Sequence, residues 1–150
     1  MKPTFDSTVD VLVKAYLNDT LEHGTCSACA VGNIIAHHQG VKVRRRGHGF
    51  LAWMRIDPLW GRVFQTDSST RCQKMNAFAY HGAAKDQIDS TGYTVSELAS
   101  IEYAFETAKR GRCDDEWMFN GLMAVVEVLA DIHGISLEKK QEAKAMFVKV

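Results

Sequence analysis

The sequence predicts an all-α protein, a compact bundle of five to six helices that forms a single domain over residues 1–150. Three observations predict it: apolar residues recur with helical spacing at both ends of the chain, capping residues precede those patterns, and one long segment is almost entirely apolar. That segment is Trp117–Gly134, in which twelve of the sixteen residues from Trp117 to Ile132 are apolar. A helix that is apolar nearly all round normally lies at the centre of a bundle. We therefore expect it to be the central helix.

Two helices are predicted in the first forty residues. The first has Ser7 or Thr8 as its N-cap and runs to about Glu22. The second begins at Cys26 and ends before the stop signal Gly40. Because the connection is very short, the two helices are expected to pack against each other.

Helical signals return after residue 93. Thr94 and Glu97 form a capping box, and the helix they begin is expected to end at Gly111. The central helix follows, and Ser136 is a suitable N-cap for the last one. Four residues of that last helix are expected to face the core: Ala143, Met146, Phe147 and Val150.

The middle of the chain loses helical periodicity and is predicted to form an irregular basic insertion at about 41–70. A short β-hairpin at its start and a helix over Phe50–Ile56 are alternatives. A modest helix is expected to follow, with Met75, Phe78 and Ala79 inward. Residues 41–75 hold eight basic and two acidic side chains, a net charge of +6, although the whole chain is neutral.

Composition narrows the class of protein further. The first ten residues lack the apolar stretch of a secretory signal, and no segment reaches the roughly 20 apolar residues of a membrane span. We therefore expect a cytoplasmic protein without a membrane partner, in which the four cysteines are reduced thiols or metal ligands.

The basic insertion gives the leading functional hypothesis. Guanidinium groups and a glycine-rich turn are suited to phosphate, and interleaved aromatic rings are suited to stacking on bases. The predicted ligand-binding residues are Lys42, Arg44, Arg45, Arg46, His48, Trp53, Arg55, Trp60 and Arg62. The expected partner is a nucleic acid or a nucleotide, and an acidic protein is the alternative. The competing interpretation is that these rings fill the core while the arginines are solvated or pair with acids of the same chain.

A Cys-x-x-C motif, Cys26 and Cys29, lies at the start of the second predicted helix. It could act as a redox dithiol or contribute to a zinc site, but zinc would need two further ligands. Buried thiols that pack against the first helix are the favoured interpretation, and no cofactor is predicted.

Helix-borne carboxylates suggest a third possibility. Glu102 and Glu106 are four residues apart on one helix, and Glu127 and Asp131 are four apart on the next. Facing pairs of this kind could hold Mg²⁺ in a nucleotide hydrolase, although all-helical nucleotide pyrophosphatases use i, i+3 spacing.

Five short segments resemble small proteins of Bacteroidetes bacteria and their phages: Val11–Tyr16, Ala28–Asn33, Asp89–Thr94, Glu102–Thr107 and Gly121–Val126. That group has no established activity. The resemblance therefore implies a phage or mobile-element origin but assigns no role to any residue. From the sequence, we expect a non-catalytic binding protein, with a Mg²⁺-dependent hydrolase and a zinc-stabilised interaction module as alternatives.

Overall fold

The structure, a computed structural model, describes residues 2–21, 29–41, 81–108 and 113–149. Within these ranges all regular secondary structure is α-helical, so the predicted all-α class is confirmed. The helices, in chain order, are α1 (Phe5–Leu17), α2 (Ala30–Gln39), α3 (Gly82–Ser90), α4 (Val95–Thr107), α5 (Asp114–His133) and α6 (Leu137–Ala145). Apart from Val41, the predicted basic insertion and its alternative hairpin lie outside the described residues. None of the helices described is both long and apolar enough to cross a bilayer.

The core is centred on α5, as the sequence predicted. α5 packs most extensively on α4, and it also contacts α1 and α6. α2 contacts α1, α3 and α4. The α4 and α5 side chains at the centre are completely buried: Leu98, Ile101, Phe105, Leu122, Val125, Val126 and Leu129. Burial of each such side chain contributes about 1.5–3 kcal/mol, which makes this pair a large contributor to the stability of the described residues.

The N-terminus of α1 differs from the prediction. Its N-cap is Thr4, whose Oγ1 accepts a hydrogen bond from the Ser7 backbone N–H at 3.1 Å. The helix therefore begins at Phe5, which is buried in the core. Thr8, one of the two predicted caps, is itself buried on the inner face of α1. Because Phe5 is buried in the core, the helix begins before Ser7 and Thr8, the two predicted caps.

Two helices end before the positions predicted for them. α1 ends at Leu17 rather than Glu22, and Asp19 then takes a left-handed backbone conformation with φ 55°. α4 ends at Thr107, four residues before the predicted stop at Gly111. A glycine marks a position where a helix is able to stop, but the end of buried packing decides where it does stop.

α2 begins at Ala30, not at Cys26. The residue before it, Cys29, is the N-cap, and its Sγ accepts a hydrogen bond from the Gly32 backbone N–H at 3.3 Å. Gly40 closes the helix in a left-handed conformation with φ 68°, as predicted.

The capping signals in the C-terminal half are confirmed. The Glu97 backbone N–H donates a hydrogen bond to Thr94 Oγ1 at 3.1 Å. The Thr94 backbone N–H donates one to Glu97 Oε1 at 2.9 Å. Gly134 ends α5 with φ 63°, and Ser136 Oγ accepts a hydrogen bond from the Lys139 backbone N–H.

The inward face predicted for the last helix is only partly correct. Ala143 and Phe147 are buried, but Met146 is 50% exposed, and Val150 lies outside the described residues. Met146 is the C-cap of α6, so the helical period no longer places its side chain on the inner face. The helix predicted to bury Met75, Phe78 and Ala79 also lies outside the described residues.

Candidate functional site

None of the residues predicted to bind a ligand lies in the described part of the chain: Lys42, Arg44, Arg45, Arg46, His48, Trp53, Arg55, Trp60 and Arg62. Their interpretation as a binding surface therefore stays a prediction. The described residues, which we call the helical body, show what surrounds that segment in the sequence.

The helical body is acidic. It contains seven lysines and fifteen acidic residues, and its net charge is therefore −8. All eight arginines of the protein lie in the rest of the chain, which carries +8. The neutral total thus conceals two parts of opposite charge.

Every lysine of the helical body makes an ion pair with an acidic side chain of the same body. The pairs are Lys2–Glu97, Lys14–Asp10, Lys85–Asp89, Lys139–Asp6, Lys140–Glu127, Lys144–Glu127, and Lys149 with Asp19 and Asp115. Exposed pairs of this kind stabilise a protein only weakly. They do, however, neutralise each lysine locally, so the helical body offers little positive charge to a polyanion.

A groove of ≈ 290 Å³ lies between α1 and α2. Its polar lining residues are Asp10, Lys14, Asn18, Thr20, Asn33 and His37. Val41, which is 43% exposed, lies at its edge and immediately precedes Lys42 in the sequence. The groove therefore lies beside the last described residue before the basic segment.

The buried side chain of Asn33 fixes the wall of this groove. Its Nδ2 donates hydrogen bonds to the carbonyl oxygens of Thr20 and Cys29, both at 3.0 Å. Its Oδ1 accepts a hydrogen bond from Thr20 Oγ1 at 2.9 Å. The amide thus joins the end of α1 to the start of α2, and sequence reasoning gave it no role.

Cys29 has the environment of a structural thiol. It is 1% exposed, whereas a reactive thiol needs access to solvent. Cys26 lies outside the described residues. Across the described ranges, no three His, Cys, Asp or Glu side chains are grouped closely enough to hold a metal ion.

The carboxylates proposed for Mg²⁺ lie in different environments. Glu102 is completely buried in the core. Glu127 is on the side of α5 that faces α6, where it accepts hydrogen bonds from Lys140 at 2.8 Å and Lys144 at 2.5 Å. These two hydrogen bonds, that of Lys140 first, lower the pKa of Glu127. The i, i+4 spacing puts each pair on one helix face, but the rotation of the helices decides what that face meets.

A polar cluster that the sequence did not reveal joins three parts of the body. The Tyr93 hydroxyl is hydrogen-bonded to Thr8 Oγ1 at 2.7 Å and to His133 Nε2 at 2.8 Å. Burial raises the pKa of Tyr93 to about 12. Burial, and secondarily the nearby charge of Lys2, lowers the pKa of His133. Both groups are therefore neutral at pH 7, and the cluster fixes α1, α5 and the α3–α4 connection together.

No family model, curated protein or solved structure matches this chain. The resemblance to Bacteroidetes and phage proteins accordingly stays a prediction, and no residue role comes from a relative. Function has to be inferred from the charges and contacts of the protein itself.

Proposed function

We propose that this is a non-catalytic binding protein that engages nucleic acid or nucleotide phosphate through the basic segment 42–62, with the helical body as its scaffold. The observation that carries the proposal is the complete pairing of the body's lysines. The segment holds six basic residues and one aspartate, a net charge of +5. An anion therefore finds its partners outside the helical body, where the segment 42–62 holds six of the eleven basic residues.

The chemistry of the segment suits phosphate attached to a base. Arginine presents planar pairs of donors to phosphate oxygens, and Arg44, Arg45 and Arg46 are consecutive. Trp53 and Trp60 lie further along the same segment and provide rings on which bases stack. Single-stranded nucleic acid displays both features at once.

The acidic body supports this assignment by repelling polyanions. A net charge of −8 disfavours phosphate at the helical body and so directs a polyanion to the rest of the chain.

The test is fluorescence polarisation with a labelled oligothymidine of about 20 nucleotides, longer than the site of one small domain. We expect Arg44→Ala/Arg45→Ala/Arg46→Ala to weaken binding by at least about tenfold, because three charge-assisted contacts are lost. The slope of log K against log salt should fall by about two, since each single-strand phosphate contact contributes about 0.7. Circular dichroism should show unchanged helicity.

The matched control removes the same charge from the body. Lys14, Lys85 and Lys139 have side chains that are 70%, 50% and 45% exposed, and all three are in ion pairs. Their triple replacement by alanine should reduce affinity far less than the arginine triple. Equal losses in the two triples, or binding that is indifferent to salt, would contradict the proposal. Titration with ATP in place of the oligonucleotide separates a nucleotide ligand from a polymer.

A further inference from the structure

The residues that follow α6 form a short tail, 146–149, which contacts α1 and α5. Phe147 is buried and packs edge-on against the Tyr16 ring of α1, with centroids 6.0 Å apart. Met146 and Val148, in contrast, are 50% and 59% exposed. Phe147 and Lys149, which are two residues apart, therefore hold the tail against the body.

The Lys149 ammonium group has both an aromatic and an anionic environment. Its Nζ lies 4.6 Å from the centroid of the Tyr16 ring, 2.7 Å from Asp19 Oδ1 and 3.6 Å from Asp115 Oδ1. The hydrogen bond to Asp19 raises the pKa of Lys149, which keeps it cationic. An aromatic face combined with carboxylates is the environment that proteins use to recognise alkylammonium groups.

The Tyr16 side chain is also part of an open groove between α1 and the first turns of α5. The groove has a volume of ≈ 310 Å³ and is lined by Tyr16, Asp115, Glu116, Phe119 and Asn120. Phe119 is 36% exposed, and its ring centroid lies 6.4 Å from that of Tyr16. The groove thus extends the acidic and aromatic environment of Lys149 into solvent.

We propose that this groove is a docking site for a lysine-containing peptide of a partner protein, and that Lys149 occupies its cation position as an internal competitor. Lys149 itself shows that a lysine side chain fits between Tyr16 and the two aspartates. The charge of the lining is complementary to a basic peptide, and Lys149 contacts two of the lining residues, Tyr16 and Asp115. The lysine of an incoming peptide would replace the contacts of Lys149 with equivalent contacts of its own. Further basic residues of the peptide would lie near Glu116. The proposal does not depend on the basic segment 42–62.

The test uses the full chain and the peptide acetyl-(Lys)₄-amide, with binding measured by calorimetry and the Tyr16 ring signals followed by NMR. Lys149→Ala removes the competitor, and we expect it to bind the peptide about tenfold more tightly than the wild type. That factor corresponds to a site that is open in about one wild-type molecule in ten. Adding Asp115→Asn, at a position where the side chain is 77% exposed, should reverse most of the gain without affecting folding.

Lys14→Ala is the matched control. It makes the same change in net charge by removing a lysine from an ion pair elsewhere on α1. A gain in affinity confined to Lys149→Ala, with shifts at the Tyr16 ring, would support the proposal. Equal gains in Lys14→Ala and Lys149→Ala would show general attraction to an acidic body and would overturn it. Self-association of Lys149→Ala without peptide binding would also overturn it, because the occupant would then be a second copy of the chain.

Discussion

α5 is held by two interfaces of different chemistry. Towards α4 it presents completely buried apolar side chains, which meet an equally apolar face. Towards α6 it presents Glu127, which pairs with Lys140 and Lys144. Ala143 is the buried residue of α6 itself, and the next anchor is Phe147 in the tail. One helix is thus fixed by apolar burial on one side and largely by charge on the other.

This difference implies unequal local stability. Apolar burial changes little with salt, whereas a half-exposed ion pair contributes no more than about 1 kcal/mol and is screened by ions. We therefore expect α6 and the tail to detach from the body more readily than α4 does. Such opening would also expose the position that Lys149 occupies, so access to the groove and the weakness of the α5–α6 interface are linked.

The largest expected effect is at the apolar interface. Phe105→Ala leaves a cavity at a fully buried site and should lower the free energy of unfolding by about 3–5 kcal/mol, measured by urea denaturation. The matched change at the anchor of the tail, Phe147→Ala, should cost less than half as much, because α6 and the tail are able to shift and partly fill the cavity. Hydrogen exchange should then accelerate mainly in α6. If both variants lost the same free energy, α6 would belong to the same cooperative unit as α4, and the comparison would fail.

A smaller effect is expected at Glu127. Glu127→Gln removes both ion pairs to α6 and should cost about 1 kcal/mol at low salt, with the difference disappearing near 1 M NaCl. Because the folded protein lowers the pKa of Glu127 from its ordinary value of 4.5, the carboxylate contributes stability above that pH. The advantage of the wild type should therefore vanish as pH falls through the folded-state pKa. A salt-independent difference would show that the interface is not electrostatic. Phe105→Ala is the control, because the free energy of unfolding that it loses should not change with salt.

The smallest effect concerns the polar cluster of Thr8, Tyr93 and His133. The fold lowers the pKa of His133 from its ordinary value of 6.5, so protonation favours the unfolded chain. Wild-type stability should fall as pH drops from about 7.5 to about 5.5, by less than about 1 kcal/mol for this partly exposed group. His133→Gln retains a hydrogen-bonding side chain and should show a shallower pH dependence over that interval. Parallel pH profiles for the two proteins would show that His133 does not cause this pH dependence of stability.

Much of the helical architecture was determined by the sequence alone. The capping box of Thr94 and Glu97, and the stops at Gly40 and Gly134, are formed as predicted. These signals are reliable because the groups that satisfy one another lie within a few residues along the chain. The apolar content of Trp117–Gly134 likewise identified α5 as the helix on which the core is centred, although one side of it, including Met123 and Val128, is only half-buried.

The tertiary structure alone decided which faces meet and what each charged group contacts. Burial of Phe5 fixed the start of α1, and helix rotation placed Glu102 in the core but Glu127 beside two lysines. The Lys149 site joins residues 130 positions apart, Lys149 and Asp19, and the sequence carries no local signal for such a contact. The physical reason is range: hydrogen bonds within one helical turn are encoded locally, whereas ion pairs and ring contacts between helices depend on how all the apolar faces pack together.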